Sequence, residues 1–331
     1  MAFETEVKTK SDNVKPHLVI LGAGASLATL PDGDKNGLKL PLMNNFIETV
    51  GLEDILEDIH LETDSNNFED IYSELYTREY TEKLSEIEDR VYDYFCELRL
   101  PENPTIYDYL ILSLREKDAI ATFNWDPLLV QAIQRVQNIT DKLPELIFLH
   151  GNVWLGICDE HKMVSVRGYG CPKCGNKLKK VKILYPIREK NYSEDEYIQG
   201  EWEKVKYFLE KAFSLTIFGY GVPESDRAAI SLFKEAWGDT GKRSFEEVEI
   251  IDIKESEELR QTWNEFIHTH HYRTTKSYFN SQIALCPRRS IEAYYEQLLN
   301  AKFVIDHKIS PGLSFNELKK EINGLIEYEE K

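Results

Sequence analysis

Five short apolar runs punctuate the chain, and each ends in a glycine or a polar residue: 17–22 (HLVILG), 119–124 (AIATFN), 145–150 (ELIFLH), 215–219 (LTIFG) and 248–252 (VEIID). Apolar, β-branched runs too short for a packed helix read as buried strands. Between them, apolar residues recur at helical spacing over 126–137, 194–212, 224–237 and 256–268. Pro127 suits the first position of its helix, where no backbone donor is needed. This alternation predicts an α/β fold with a doubly wound, mostly parallel sheet. Such sheets bind ligands outside the carboxyl ends of their strands. Gly22, Asn124, His150, Gly219 and Asp252 are therefore expected to converge on one crevice.

The rest of the chain is assigned around that frame. Residues 1–16 read as a polar N-terminal arm, and 31–37 (PDGDKNG) as a loop. A helical insert is expected over about 42–117, with Phe68, Ile71 and Leu75 on one buried face and Ile87, Val91, Tyr94, Phe95 and Leu98 on another. Residues 17–155 form the first part of the sheet domain, 156–180 a small cysteine module and 181–255 the remainder of the sheet domain. Residues 256–331 are expected to be a helical C-terminal extension.

Composition narrows the function classes. Apolar residues make up 42% of 331 and charged residues 30%, a globular balance with enough material for a core. Forty Lys and Arg stand against 58 Asp and Glu, a net charge of -18, which argues against direct nucleic-acid binding. No apolar run reaches the ~20 residues that span a bilayer. Residues 1–16 lack the apolar middle of a secretory signal, so a cytoplasmic protein without membrane association is expected.

Three of the five cysteines, Cys158, Cys171 and Cys174, fall close together, which in a reducing compartment points to metal before disulfide. Cys158-x-x-His161 and Cys171-Pro-Lys-Cys174-Gly offer two ligand pairs, the pattern of one closed, structural Zn²⁺ site per chain. Asp159 and Glu160 stand beside His161 as alternative oxygen ligands. Elsewhere, Gly22-Ala23-Gly24-Ala25-Ser26 follows the first strand, where glycines let backbone approach a pyrophosphate. Thr122, Asn124 and Asp126 alternate at a strand end and so share a side, although Asp126 can equally cap the following helix. His150 has the side chain suited to general base work near neutrality.

Taken in order, GAGAS, TFNWD, FLHGN and the cysteine module just after it resemble the sirtuin (SIR2) family. The segment GYGVPESD at 219–226 and the strand ending in Asp252 resemble that family's later cofactor-binding segments. The resemblance covers roughly 17–255 and implies a Rossmann-like, sirtuin-type fold with NAD as substrate. It places the NAD pyrophosphate on Gly22 to Ser26, and the nicotinamide ribose or an attacking water on Asn124. Thr122, Phe123 and Asp126 order that end of the pocket. His150 becomes the general base, Gly219, Tyr220 and Gly221 line the phosphate and ribose side, and Asp252 meets the adenosine part.

Two departures set the chain apart from protein-deacylating sirtuins. Where those carry a Pro-Asp-Phe-Arg-like stretch after the first motif, this chain reads LATLPDGD at 27–34. Where they carry a Phe-Gly-Glu after the zinc module to pair with an acyl-lysine peptide, it reads KILYPIRE at 182–189. The sequence is closer to the SIR2-like NADase effectors of bacterial antiphage defence. That likeness implies an NAD glycohydrolase, self-association, and a partner ATPase, nuclease or sensor protein. An NAD-dependent deacylase and a non-catalytic NAD or ADP-ribose sensor are the alternative readings.

Overall fold

A computed structural model describes residues 2–3, 15–187, 190–239, 241–264, 266–267 and 271–329. Its main sheet has six strands: β1 (His17–Leu21), β2 (Ala119–Thr122), β3 (Glu145–Phe148), β4 (Ser214–Phe218), β5 (Glu247–Ile251) and β6 (Tyr272–Thr275). Their spatial order is β6-β5-β4-β1-β2-β3, and every neighbouring pair is parallel. This is the doubly wound, Rossmann-like order, in which the connection reverses direction between the first and fourth strands. The residues of β1, β4 and β5 are all buried. Parallel strands covered on both faces are mainly apolar, and the polar side chains these strands bury find partners inside the protein: His17 with Thr216, Glu247 with Arg273 and Glu249 with the Gln282 N–H.

The helical insert holds five helices: Phe46–Val50, Glu53–Leu56, Phe68–Thr77, Thr81–Glu97 and Ile106–Leu112. Phe68, Ile71, Leu75, Ile87, Val91, Phe95 and Leu98 all join the core. Tyr94 is half-buried, with its hydroxyl donating to the Lys39 carbonyl at 2.6 Å. The helices expected within 126–137 and 194–212 run over Leu128–Val136 and Glu196–Lys211, and Pro127 is the cap residue of the first.

The C-terminal part corrects one expectation. Residues 256–331 are not helical throughout, because Tyr272–Thr275 supplies the edge strand β6. An edge strand has one neighbour and one open side. A half-buried Tyr-Arg-Thr-Thr is therefore tolerated, and it lacks the apolar run that marks central strands. Nor is this part separable from the sheet. His17, the first residue of β1, bridges Ser290 Oγ and Thr216 Oγ1, each at 2.8 Å, in the buried interior. Burial pushes the imidazole down to about 4 and keeps it neutral. The stretch 181–187, apolar like a strand, joins no ladder and runs as irregular chain over the body.

Between β3 and β4 a small antiparallel sheet carries the cysteines. Leu155–Ile157 pairs with Val164–Val166 on one side and Lys179–Lys180 on the other. Ala2–Phe3 adds an outer strand against Val164–Val166, so the start of the N-terminal arm is part of this sheet. No described helix is long and apolar enough to cross a membrane.

Candidate functional site

The carboxyl ends of β1 and β4 meet at the switch point, backbone on backbone. Gly22 N–H donates to the Phe218 carbonyl at 3.0 Å and Gly24 N–H to the Gly219 carbonyl at 2.9 Å. Gly219 has φ +60, and a Cβ there would lie 2.3 Å from Ala25 N. A Cβ on Gly22 would lie 2.6 Å from the Gly219 carbonyl oxygen. Both glycines are dictated by this contact, quite apart from any ligand. Gly22, Gly24 and Ala25 each have their N–H engaged by a main-chain carbonyl. Ala23 is exposed at the mouth of the turn, whereas Ser26 is turned inward.

Ser26 leads into a saturated polar cluster. Its hydroxyl donates to Asp126 Oδ2 at 2.6 Å and lies 2.7 Å from the Tyr107 hydroxyl. Asn124 Nδ2 donates to the Gly22 carbonyl at 2.8 Å and to Ser26 Oγ at 2.9 Å. Thr122 Oγ1 accepts from Asn124 N–H at 3.0 Å. With both amide hydrogens directed into the protein, Asn124 is left presenting its carbonyl oxygen, an acceptor suited to a hydroxyl or a water. Asp126 Oδ1 accepts from Leu128 N–H at 3.1 Å, so the residue before the Pro127 cap ties the start of the helix to the crevice. Burial pushes its carboxyl up to about 6, partly offset by the Ser26 hydroxyl and the Leu128 amide. Asn152 Nδ2 ties the same turn down through the Asp126 carbonyl at 2.6 Å.

His150 enters from β3. Thr122 pairs with Phe148 in register, so Asn124 and His150 each stand two residues beyond the last pair of adjacent strands. The imidazole packs edge-on to Phe123 at 4.9 Å between centroids, and Phe123 stacks on Tyr220 at 4.3 Å. Tyr192 faces the imidazole from a parallel plane at 6.3 Å. Buried Asp226 lies 3.6 Å from His150 Nε2, accepts from the Tyr220 hydroxyl at 2.9 Å and pairs with Lys190. Desolvation, with the Lys190 charge adding to it and Asp226 opposing, pushes His150 down to about 3. It is a neutral imidazole at pH 7 and, in this enclosed state, a weak base.

The structure brings Gly22, Asn124, His150 and Gly219 to the same end of the sheet, together with Ser26, Thr122, Phe123, Asp126 and Tyr220. Gly221 is exposed on the loop that follows. Asp252 lies at the end of β5, where its carboxylate accepts from Lys254 N–H of its own turn at 3.0 Å. Sequence reasoning missed Tyr107, Lys190, Tyr192 and Glu69, the last of which accepts from Ser225 N–H at 2.5 Å. Asp226 closes the GYGVPESD segment at 219–226, where nothing local indicates its contact with His150. Nothing in the local sequence marks Tyr107 or Lys190.

In the small sheet, the ligand atoms of Cys158, His161, Cys171 and Cys174 all lie within 4.8 Å of one another. Cys158 Sγ is 3.7 Å from His161 Nδ1 and 3.8 Å from Cys174 Sγ, and Cys171 Sγ is 3.9 Å from His161 Nδ1. Sulfurs about 2.3 Å from a tetrahedral zinc are about 3.8 Å apart, so the spacing fits that ion. His161 Nδ1 is the fourth donor of this set. With four protein donors, a tetrahedral ion held there would have no open position.

Neither a family model nor a curated protein matches the sequence. Among solved structures the chain is similar to a Sir2 homologue in complex with NAD, at 13% identity, covering 80% of this chain and 84% of that one with a TM-score of 0.39. It is likewise similar to a SIR2 complex with the inhibitor EX-527, 2'-O-acetyl-ADP-ribose and a deacetylated p53 peptide, at 12% identity, 87% and 94% coverage and a TM-score of 0.39. The fold class rests on strand order and parallel register. The chain is a Rossmann-like, doubly wound α/β protein with a cysteine–histidine module inserted between its third and fourth strands.

Proposed function

We propose that the crevice hydrolyses NAD at the nicotinamide–ribose bond, releasing nicotinamide and ADP-ribose. The ordered motifs and their meeting at the switch point support NAD as substrate. Departure of nicotinamide leaves an oxocarbenium-like centre, so the protein needs to position the ribose and admit water to its open face. Asn124, with its amide hydrogens engaged, offers its carbonyl oxygen to that water or to a ribose hydroxyl. His150, neutral at pH 7, takes the proton. Ala23, Gly24, Gly219 and Gly221 stand where the pyrophosphate passes, and Asp252 where the adenosine ribose ends. Cys158, His161, Cys171 and Cys174 hold a structural zinc outside the reaction.

One observation favours water over an acyl-lysine as acceptor. The stretch after the cysteine module is engaged within the protein. Leu184 N–H donates to the His150 carbonyl at 3.0 Å, Ser73 Oγ donates to the Pro186 carbonyl at 3.1 Å, and Tyr185 stacks on Tyr72 at 5.2 Å. A segment so engaged is not open to a peptide. The test is product analysis. Incubation with NAD alone should yield nicotinamide and ADP-ribose, and Asn124→Ala should abolish both. NAD that survives until an acetyl-lysine peptide is added, with O-acyl-ADP-ribose as product, identifies a deacylase instead. We extend the proposal to a role as a self-associating effector of antiphage defence, for which NAD loss in infected cells expressing the protein is the test.

A further inference from the structure

His150 is enclosed by groups from four separate segments, and their arrangement is incomplete in one respect. Its Nε2 is buried without a hydrogen-bond partner, 3.6 Å from Asp226 Oδ1. That same oxygen carries the ammonium of Lys190, and Oδ2 carries the Tyr220 hydroxyl. Lys190 and Asp226 have side chains only 3% and 4% exposed, so their attraction is scarcely screened. Among the described residues the other charged neighbour is Glu69, reached through Ser225, which follows Glu224 and precedes Asp226. Among the described residues, the imidazole's surroundings thus hold two carboxylates, one ammonium and two tyrosines, Tyr192 and Tyr220.

We propose that Asp226 is the positioning residue for His150 and that Lys190 competes with the imidazole for it. This rests on the reading of His150 as the base. While Lys190 holds Asp226, the ring nitrogen is left unpaired and the cation beside it discourages a second positive charge. Once Lys190 turns to another anion, His150 is the neighbour of the buried carboxylate, among the described residues, that can take up a compensating positive charge. Donation from Nε2–H to Asp226 then fixes the tautomer and makes the other ring nitrogen the basic one. An anionic substrate such as a dinucleotide pyrophosphate has the chemistry to draw Lys190 away. In this way the arrival of substrate switches the base on.

The test separates this pairing from the reaction. In protein labelled at histidine, the His150 ring is followed by NMR against pH, its signals assigned by their loss in His150→Gln. Lys190→Met should raise the His150 midpoint by at least about one unit, as expected when a nearby like charge is removed and a carboxylate is freed. Adding Asp226→Asn to that variant should bring the midpoint down again. Should Lys190→Met fail to fold, Lys190→Gln keeps a donor without charge and serves the same comparison. In NAD cleavage, Asp226→Asn should lower kcat at least about tenfold with KM unchanged. A His150 midpoint unmoved by loss of the Lys190 charge, or still raised after Asp226→Asn is added, overturns the proposal. Midpoints that move as stated in a protein that leaves NAD intact uphold the pairing and overturn the hydrolase reading.

Discussion

Hydrogen bonds in the crevice join segments far apart in sequence: Ser26 to Asp126 across 100 residues, Asn124 to Gly22 across 102 and Ser225 to Glu69 across 156. In the cysteine module, Cys158 meets Cys174 across 16 residues and His161 across three. The crevice exists only after the parallel sheet has closed, because each of its groups waits on a crossover. The module needs one short antiparallel sheet and an ion. The two regions should therefore fail independently, except where the sheet itself is broken.

The largest effect is expected at Gly219. A Cβ there meets Ala25 N at 2.3 Å and Gly24 C at 2.4 Å, both backbone, from a positive φ. Gly219→Ala should cost about 3 kcal/mol or more in urea unfolding, and both regions should be lost in one transition. A stable Gly219→Ala protein would show that the turns are not in contact. Next in size is metal removal. Protein purified without added metal should contain about one zinc per chain. Chelation should abolish amide protection over 155–180 while that of β1 and β4 persists. Loss of protection in the main sheet at the same chelator concentration breaks the proposed independence.

Smaller again is the stability cost of Asn124→Ala. The side chain donates to Gly22 O and Ser26 Oγ, so a loss of about 1–3 kcal/mol is expected alongside the loss of turnover. His150→Ala should cost turnover about 10²–10⁴-fold. If Asn124→Ala unfolds the chain, its role is structural before it is chemical.

The smallest effect is a slope. Asp126 sits in the fold at about 6, above its ordinary 3.8. Between those values the folded state binds more protons than the unfolded state, so this group destabilises the fold as pH rises from about 4 to about 6 and keeps doing so above. His17, held down to about 4, has the opposite sign, its contribution falling as pH drops from 6.5. Subtracting the urea midpoints of Asp126→Asn from those of the wild type isolates the carboxyl, and the difference should shrink on acidification from pH 7 to 4. Acid acts the other way on the module, whose thiolates take up protons and release metal. If metal release and the Asp126 difference follow one curve, the two regions are coupled after all.

The legibility of each region follows from the same distances. Cys158, His161, Cys171 and Cys174 could be named as a ligand set because their spacing is set by local chain geometry. That His161, and not Asp159 or Glu160, faces the three sulfurs is decided by the folded turn. Predominantly apolar runs located five of the six strands, since strands covered on both faces bury mainly apolar side chains, although β5 also buries Glu247 and Glu249. β6 escaped because an edge strand is not so constrained. Gly22, Asn124 and His150 were readable as strand-end residues, but nothing local indicates that Tyr107 or Lys190 lies beside them.

What the amino-acid order determined by itself is thus the periodicity of each element, the turns that end the strands and the metal-binding spacing, all of which act over a few residues. The tertiary structure alone decided which strand ends adjoin. It set β4 against β1, pressing Gly219 onto Gly22 and Gly24, and it brought Asp226 and Lys190 to His150. Those meetings depend on the order in which crossovers lay strands into the sheet, and on burial that makes an unpaired polar group costly. The short-range pattern of the sequence carries neither.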